Sequence, residues 1–200
     1  SLLTPEMTGR LDELAGLAPI HNPPTIALIK SCARLYPDLP QVLVPDTAFH
    51  AGIPDYAADY ALPRELAGSL GLRKYGFHGI SHGYVTAEAA RLLETPLESF
   101  NAVSCHLGSG GASLCAVRGG RSVDNTMGFS PLQGLVMSTR CGDLDPAVTL
   151  RLIERSGGDC ETVEKILNRK SGVLGLSGIS ADIRDVLAGL EKDGPAGPEI

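Results

Sequence analysis

Apolar residues recur at helical spacing in several stretches of the chain. The first such stretch predicts a helix over 25–35, which Pro37 stops. The same spacing predicts a helix over 81–93, with Ser81 as its possible N-cap. We expect three further helices in the last third of the chain, at 145–153, 162–167 and 181–190.

Other stretches alternate apolar and polar residues with a period of two, which is typical of strands. "NAVSCHL", "ASLCAV" and "SVDN" follow this pattern, and "RGGR" supplies a two-glycine turn before the last of them. We therefore expect three antiparallel strands in a meander. A short apolar run at 42–44 predicts one more strand.

The remaining segments are rich in proline or glycine. Residues 47–63 are irregular and interrupted by prolines, which makes them the best candidate for a crossover between two domains. "SGVLGLSGIS" is expected to form a glycine-rich loop before the last helix. The turn-rich ending after that helix suggests a piece of a longer protein, and a flexible tail is the alternative.

Composition and charge narrow the function classes. The 200 residues are 43% hydrophobic, enough for an ordinary globular core, and the net charge of -6 comes without a basic stripe for nucleic acid. No apolar run reaches the roughly 20 residues of a membrane span, and "SLLTPEMTGR" is unlike a signal peptide, so we expect a cytoplasmic protein. The five cysteines form no CxxC pair, which favours buried free thiols over disulfides or zinc.

Glycines surround a histidine in "HLGSGGASL". They fall at the expected tip of a hairpin, where residues without a Cβ let a ligand reach backbone N–H groups. A phosphate is the natural ligand for such a turn, although no Walker motif follows. A plain glycine hairpin is the alternative.

Two histidines four residues apart stand in "YGFHGISHGYV". The glycine between them and the lack of an adjacent glutamate argue against a zinc-protease motif. His78 is better placed on a loop before the helix, flanked by Gly76 and Gly79, where its ring can donate a hydrogen bond to a ligand. A structural role remains the alternative for His78 and is the main interpretation for His82.

Two charged positions complete the candidate chemistry. Arg140 lies among small residues and can bind a phosphate or carboxylate, or else pair with Asp143 or Asp145 next to the following helix. Asp46 follows the predicted strand at 42–44, a common position for carboxylates that hold Mg²⁺ directly or through water.

These motifs together resemble the acetate kinase family, which includes propionate kinases and belongs with sugar kinases, heat-shock chaperones and actin. The resemblance covers about 17–186. It is carried by "VPDTAFHAGIP", "RKYGFHGISHGYV", "CHLGSGGAS", "SVDNTMGFSPLQGLVMSTRCGDLDP" and "KSGVLGLSGISADIRD". It implies an α/β, ribonuclease-H-like (actin-like ATPase) fold with a mixed sheet and flanking helices. Residues 1–46 would end an N-terminal domain, and 47–200 would form most of a C-terminal one.

The resemblance also implies an activity, which is Mg²⁺-dependent phosphoryl transfer from ATP to acetate, giving acetyl phosphate and ADP. A homodimer is implied as well. Because other family motifs are not found in these 200 residues, the chain matches the middle of such an enzyme and is expected to be inactive alone. Propionate kinase is the alternative enzyme, and a non-catalytic ATP-binding module of actin or chaperone type is the alternative from another class.

Roles for single residues follow from the same resemblance. Asp46 would organise Mg²⁺, and His78 and Arg140 would hold the transferring phosphoryl group. The acyl group would lie near three residues, Ile20, Phe77 and Pro131. The nucleotide would contact two segments, which comprise His106, Leu107, Gly108, Ser109 and Gly110, and Asp182, Ile183 and Arg184.

Two departures from the family pattern affect these assignments. Ser109 stands where the family commonly has asparagine, and one residue is inserted in this turn. Ile183 replaces a phenylalanine, which removes an aromatic ring but keeps the flanking charges of Asp182 and Arg184. The phosphate contacts of the glycine turn are the assignments that these changes affect most.

Overall fold

The computed structural model describes residues 2–13, 22–108 and 110–193. Its helices are α1 (Pro5–Leu11), α2 (Asn22–Leu35), α3 (Asp55–Ala58), α4 (Arg64–Leu70), α5 (Gly79–Leu92), α6 (Pro146–Arg155), α7 (Cys160–Arg169), α8 (Gly172–Ser177) and α9 (Ile183–Asp193). Its strands are β1 (Ala102–Leu107), β2 (Ala112–Arg118) and β3 (Arg121–Asn125). A short 3₁₀ helix, Ala48–His50, lies between α2 and α3. The expected α/β class is confirmed.

The sheet is the antiparallel meander that the alternating pattern predicts. Its order is β1-β2-β3, and Gly119 and Gly120 form the turn between β2 and β3 with positive φ angles of 56° and 70°. In the β1–β2 pairing, His106 stands opposite Ser113, and Ser104 stands opposite Cys115. Residues directly opposite in a sheet project to the same face, so these four side chains share one side.

Helix α5 packs on that face of the sheet, and the loop before it carries His78. It begins at Gly79 and not at the predicted Ser81, because the N-cap is His78, in the left-handed conformation with φ 59° and ψ 26°. Ser81 instead bonds through its hydroxyl to the His106 ring at 2.9 Å. The 3₁₀ helix lies beside α5 and β3, and it places His50 against Ser122 of β3.

Two other sequence predictions are wrong in detail. Residues 42–44 make no regular strand, and Val42 forms only an isolated bridge to Leu2. The predicted loop in "SGVLGLSGIS" contains the helix α8, which starts at Gly172 with φ 64°. The N–H groups of Val173 and Leu174 donate to the carbonyls of Met137 and Ser138, and these long-range bonds hold the first turn of α8. A local pattern could not reveal these partners.

The other predicted helices are present as α2, α6, α7 and α9, each somewhat longer than predicted. Asp145 caps α6 through Ala147 N–H at 2.8 Å, and Asp159 caps α7 through Thr162 N–H at 3.0 Å. All five cysteines are free, as expected, but only Cys115 is buried. Cys32 and Cys141 are half-buried, and Cys105 and Cys160 are exposed. Among the described helices, none has the length and apolarity needed to cross a bilayer.

Candidate functional site

The loop before α5 is fixed to Asp46 in the turn that precedes the 3₁₀ helix. Asp46 Oδ2 accepts the His78 backbone N–H at 2.7 Å, and its carbonyl accepts the Gly79 N–H at 2.8 Å. These bonds hold His78 in a left-handed conformation that is uncommon for a residue with a side chain. The structure therefore joins two of the predicted site residues, Asp46 and His78.

The His78 ring is held on two sides. Its Nδ1 lies 2.8 Å from Ser113 Oγ on β2, and its face stacks on His106 of β1 with the ring centroids 4.1 Å apart. The other ring nitrogen, Nε2, faces Gly111 just before β2, where a Cβ would lie 3.3 Å from it. The edge of the ring that carries Nε2 is thus directed to the glycine turn.

Arg140 approaches the same glycine. A Cβ on Gly111 would lie 3.4 Å from Arg140 Nη1 as well as 3.3 Å from the His78 ring. Glycine therefore leaves room between an imidazole edge and a guanidinium, which are both suitable donors for an oxyanion. This convergence of Gly111, His78 and Arg140 is the centre of the candidate site.

A hydrogen bond from Nη1 holds the guanidinium in place. Arg140 Nη1 donates to the Pro131 carbonyl at 2.9 Å, and within the described ranges Nε and Nη2 donate to no other protein group. The alternative prediction, an ion pair from Arg140 to Asp143 or Asp145, is wrong. Asp143 accepts the Gly134 N–H, and Asp145 accepts an N–H at the start of α6. Arg140 keeps donors for a ligand.

Burial sets the charge of these groups. It is the main cause that lowers the pKa of His78 from 6.5 to about 4, and the neighbouring His106 lowers that pKa further. The pKa of His82 also falls to about 4, again mainly through burial and then through His50. Burial lowers the pKa of Arg140 too, but a guanidinium remains protonated. At neutral pH both imidazoles are uncharged, and Arg140 carries the positive charge.

These shifts predict how stability depends on pH. The unfolded chain has histidine pKa values near 6.5, whereas His82 in the folded protein has a pKa of about 4. Its contribution to stability is therefore complete above pH 6.5 and is lost as the pH falls through about 4. We expect the free energy of unfolding in urea to decline over this range, with a shallower slope for His82→Asn. An identical slope in both proteins would contradict the assignment.

A buried network that the sequence did not reveal holds the peptide before His78. His50 Nε2 lies 2.9 Å from the Phe77 carbonyl and so carries its proton, while Nδ1 lies 2.8 Å from Ser122 Oγ. Asn125 Nδ2 donates to the same Phe77 carbonyl at 3.1 Å. The Phe77–His78 peptide is thus held at both ends. The only signal in the sequence is a polar residue at an inward position of a strand, as Ser122 is.

The other predicted site residues differ in how close they lie to His78 and Arg140. Phe77 and Pro131 adjoin His78 and Arg140, as described above, and His106 stacks on His78. In the turn, Gly108 N–H donates to the Gly111 carbonyl at 3.0 Å, and neither glycine has a positive φ. Leu107, Gly108 and Gly110 are exposed. Ile20 and Ser109 lie outside the described residues.

Asp182, Ile183 and Arg184 stand at the start of α9. Arg184 Nε donates to Asp182 Oδ1 at 3.0 Å, and this bond is the main cause that lowers the pKa of Asp182 to about 2. Within the described part of the chain, no hydrogen bond or ion pair joins these residues to Asp46, His78 or Arg140. Their predicted contact with a nucleotide remains a prediction.

The described residues suit a weakly held Mg²⁺ better than a closed metal site. Across those residues, no group of three or more His, Cys, Asp or Glu side chains could hold a metal ion. Mg²⁺ usually keeps several waters and binds through one or two carboxylates plus substrate phosphates. Asp46 is exposed, and only its Oδ2 is bonded to His78, so it fits as one such ligand, direct or through water.

The fold and the site together define an α/β protein in which Arg140 and His78 offer donors to an oxyanion beside Gly111. A family model described as the acetokinase family matches residues 1–197. "Acetate kinase" of Bacillus cereus is 50% identical over 191 residues, which is 96% of this chain and 48% of that protein. "Acetate kinase" of Halothermothrix orenii is 50% identical over 186 residues, which is 93% of this chain and 46% of that protein.

Solved structures agree with the sequence comparisons. Acetate kinase from Porphyromonas gingivalis matches with a TM-score of 0.88 and 38% identity, over 96% of this chain and 48% of that one. A propionate kinase from Francisella tularensis matches with a TM-score of 0.89 and 40% identity, over 98% and 50%. The chain belongs to the acetokinase family, as the motifs indicated. It spans about half the length of the curated relatives that it matches.

Proposed function

We propose that the protein is an acetate kinase, which transfers the γ-phosphoryl group of ATP reversibly to acetate. The convergence of His78 and Arg140 on Gly111 is the observation that supports this activity most directly. A transferring phosphoryl group spreads negative charge over three equatorial oxygens, and its catalysis needs fixed donors more than covalent chemistry. The site offers those donors next to a glycine that leaves space.

In the proposed reaction, a carboxylate oxygen of acetate attacks the γ-phosphorus. A new O–P bond forms as the bond from that phosphorus to the β–γ bridging oxygen breaks, so the products are acetyl phosphate and ADP. Arg140 and the His78 ring bind the equatorial oxygens during this transfer. Asp46 holds the His78 loop and is the proposed Mg²⁺ ligand. When bound, Mg²⁺ neutralises charge on the nucleotide phosphates.

Propionate kinase is the second candidate, favoured by the TM-score of 0.89 to the Francisella tularensis enzyme. Phe77 and Pro131 are half-buried beside the site, and we propose that they contact the acyl group. The two activities then differ in the length of the acyl chain that fits against these side chains. We further propose a cytoplasmic homodimer, with domains at 1–46 and 47–200 and with ATP contacts at the glycine turn and at 182–184.

The direct test is to trap acyl phosphate as the hydroxamate. The purified full-length protein is incubated with ATP, Mg²⁺, hydroxylamine and a series of short carboxylic acids. We expect the highest kcat/KM with acetate. A higher value with propionate would favour the second candidate, and no hydroxamate with any acid would contradict both.

A substitution tests the role of Asp46. Asp46→Asn keeps an oxygen for the His78 N–H but removes the charge that attracts a cation, so we expect a higher Mg²⁺ requirement, by about tenfold or more, in an otherwise folded protein. The measurement is initial rate against Mg²⁺ concentration at saturating ATP. Asp55→Asn, on the exposed first turn of α3, is the matched control, and equal Mg²⁺ dependence in both variants would refute the assignment.

A further inference from the structure

Four polar side chains, of which three are buried and His78 is half-buried, form a continuous row behind the site. Ser104 Oγ lies 2.9 Å from His82 Nδ1, and His82 Nε2 lies 2.8 Å from Ser113 Oγ. The same Ser113 oxygen lies 2.8 Å from His78 Nδ1. The row therefore runs from β1 through α5 and β2 to the His78 ring.

Ser113 couples the two rings because a hydroxyl has a single proton. If both ring nitrogens donated to Ser113, its own proton would have no acceptor in the described part of the chain. If neither ring nitrogen donated, Ser113 could donate to only one of them, and the lone pair of the other would face a lone pair of the Ser113 oxygen. Ser113 and His82 are both 0% exposed, so water cannot relieve either mismatch. Ser113 must donate to one ring and accept from the other.

Two arrangements of the row remain. In the outward arrangement, Ser104 donates to His82 Nδ1, His82 Nε2–H donates to Ser113, and Ser113 donates to His78 Nδ1. In the inward arrangement every bond is reversed, and both rings are protonated on Nδ1. The hydroxyl proton of Ser104, which is only 7% exposed, then lacks an acceptor among the described residues. The outward arrangement leaves only the His78 Nε2–H without a protein acceptor among the described residues, and that N–H lies beside Gly111, where a ligand or water can accept it. The inward arrangement instead leaves a buried hydroxyl proton unpaired, so the outward arrangement is favoured.

We infer that Ser104, His82 and Ser113 are positioning residues that fix His78 as the Nε2–H tautomer, so that its N–H is directed at the ligand between Gly111 and Arg140. The row transfers no proton; it sets which nitrogen of His78 is a donor. A neutral imidazole has one N–H and one lone pair, and the bonds of the row fix which ring nitrogen carries each. The role in phosphoryl binding rests on the proposed function, whereas the tautomer does not.

The tautomers can be measured without substrate. Nitrogen-15 NMR of the full-length protein, labelled in its histidines, distinguishes Nδ1–H from Nε2–H for each ring. We expect both His78 and His82 to be protonated on Nε2 at pH 7.5. Protonation of both on Nδ1 would overturn the assigned direction, and different tautomers in the two rings would overturn the coupling.

Ser113→Ala is the variant that breaks the row. We expect it to remove the Nδ1 hydrogen bond of His78, seen as a shift of that nitrogen signal, and to lower kcat by about tenfold with a smaller change in KM for ATP. Ser113→Cys, which restores a weak donor, should recover part of the loss. Unchanged His78 signals and kcat in Ser113→Ala would refute the inference.

Ser122→Ala is the matched control. Ser122 is 1% exposed and bonds to the His50 ring on the other side of the network, so both variants lose a buried bond between a serine and a histidine. We expect the control to leave the His78 tautomer signals unchanged. An equal shift of those signals in both variants would assign the effect to general loosening. If the tautomers are as expected but no acyl phosphate forms, the proposed function fails and the row stands.

Discussion

Replacing Arg140 with lysine or alanine should lower kcat by on the order of 10²-fold or more, which is the usual effect of losing one transition-state donor. The guanidinium is fixed by the Pro131 carbonyl at 2.9 Å and faces Gly111. Its planar group of donors can bind two phosphoryl oxygens, whereas lysine offers a single flexible ammonium. Lysine is therefore expected to be a poor substitute. KM for ATP should change much less than kcat.

The measurement pairs kcat with the melting temperature for both variants. Arg151→Ala is the control, because Arg151 lies on the surface of α6 in an exposed ion pair with Glu154, and such pairs contribute little to stability. Wild-type kcat in a destabilised Arg140 variant would mean that Arg140 is purely structural. That result would also remove the main support for the proposed reaction.

Gly79→Ala should destabilise the protein, although alanine normally stabilises a helix relative to glycine by about 1 kcal/mol. A Cβ on Gly79 would lie 2.3 Å from the Asp46 carbonyl oxygen and 3.2 Å from Phe49 Cβ. A clash with backbone forces α5 away from the Asp46 segment, at a cost of about 1–3 kcal/mol or more. The bond from His78 N–H to Asp46 should weaken with it, and kcat should fall.

Urea denaturation of Gly79→Ala and Gly68→Ala makes this comparison. Gly68 lies in α4, and a Cβ there would meet nothing within 4 Å, so its replacement should be neutral or slightly stabilising. The two substitutions are chemically identical and differ only in the tertiary surroundings. If both variants had the same stability, the close approach of α5 to Asp46 would not be essential.

The sequence determined the elements whose cause is local. Alternation gave the meander, and "RGGR" gave its turn, because the pleat and a positive φ are properties of adjacent residues. The flanking glycines of His78 correctly placed it on a loop before the helix. The motifs identified the family. Local context marked Asp46, His78 and Arg140 as candidates, and the resemblance gave them their specific roles.

Only the tertiary structure decided which residues meet. Serine is a common N-cap residue, which favoured Ser81. His78 is instead the N-cap of α5, because Asp46, 32 residues earlier, accepts its backbone N–H. His82 was interpreted as structural, and its burial agrees, yet its bond to Ser113 connects it to the site. Hydrogen bonds across such separations depend on how helix and sheet pack. The periods of a sequence record only which face of each element is buried.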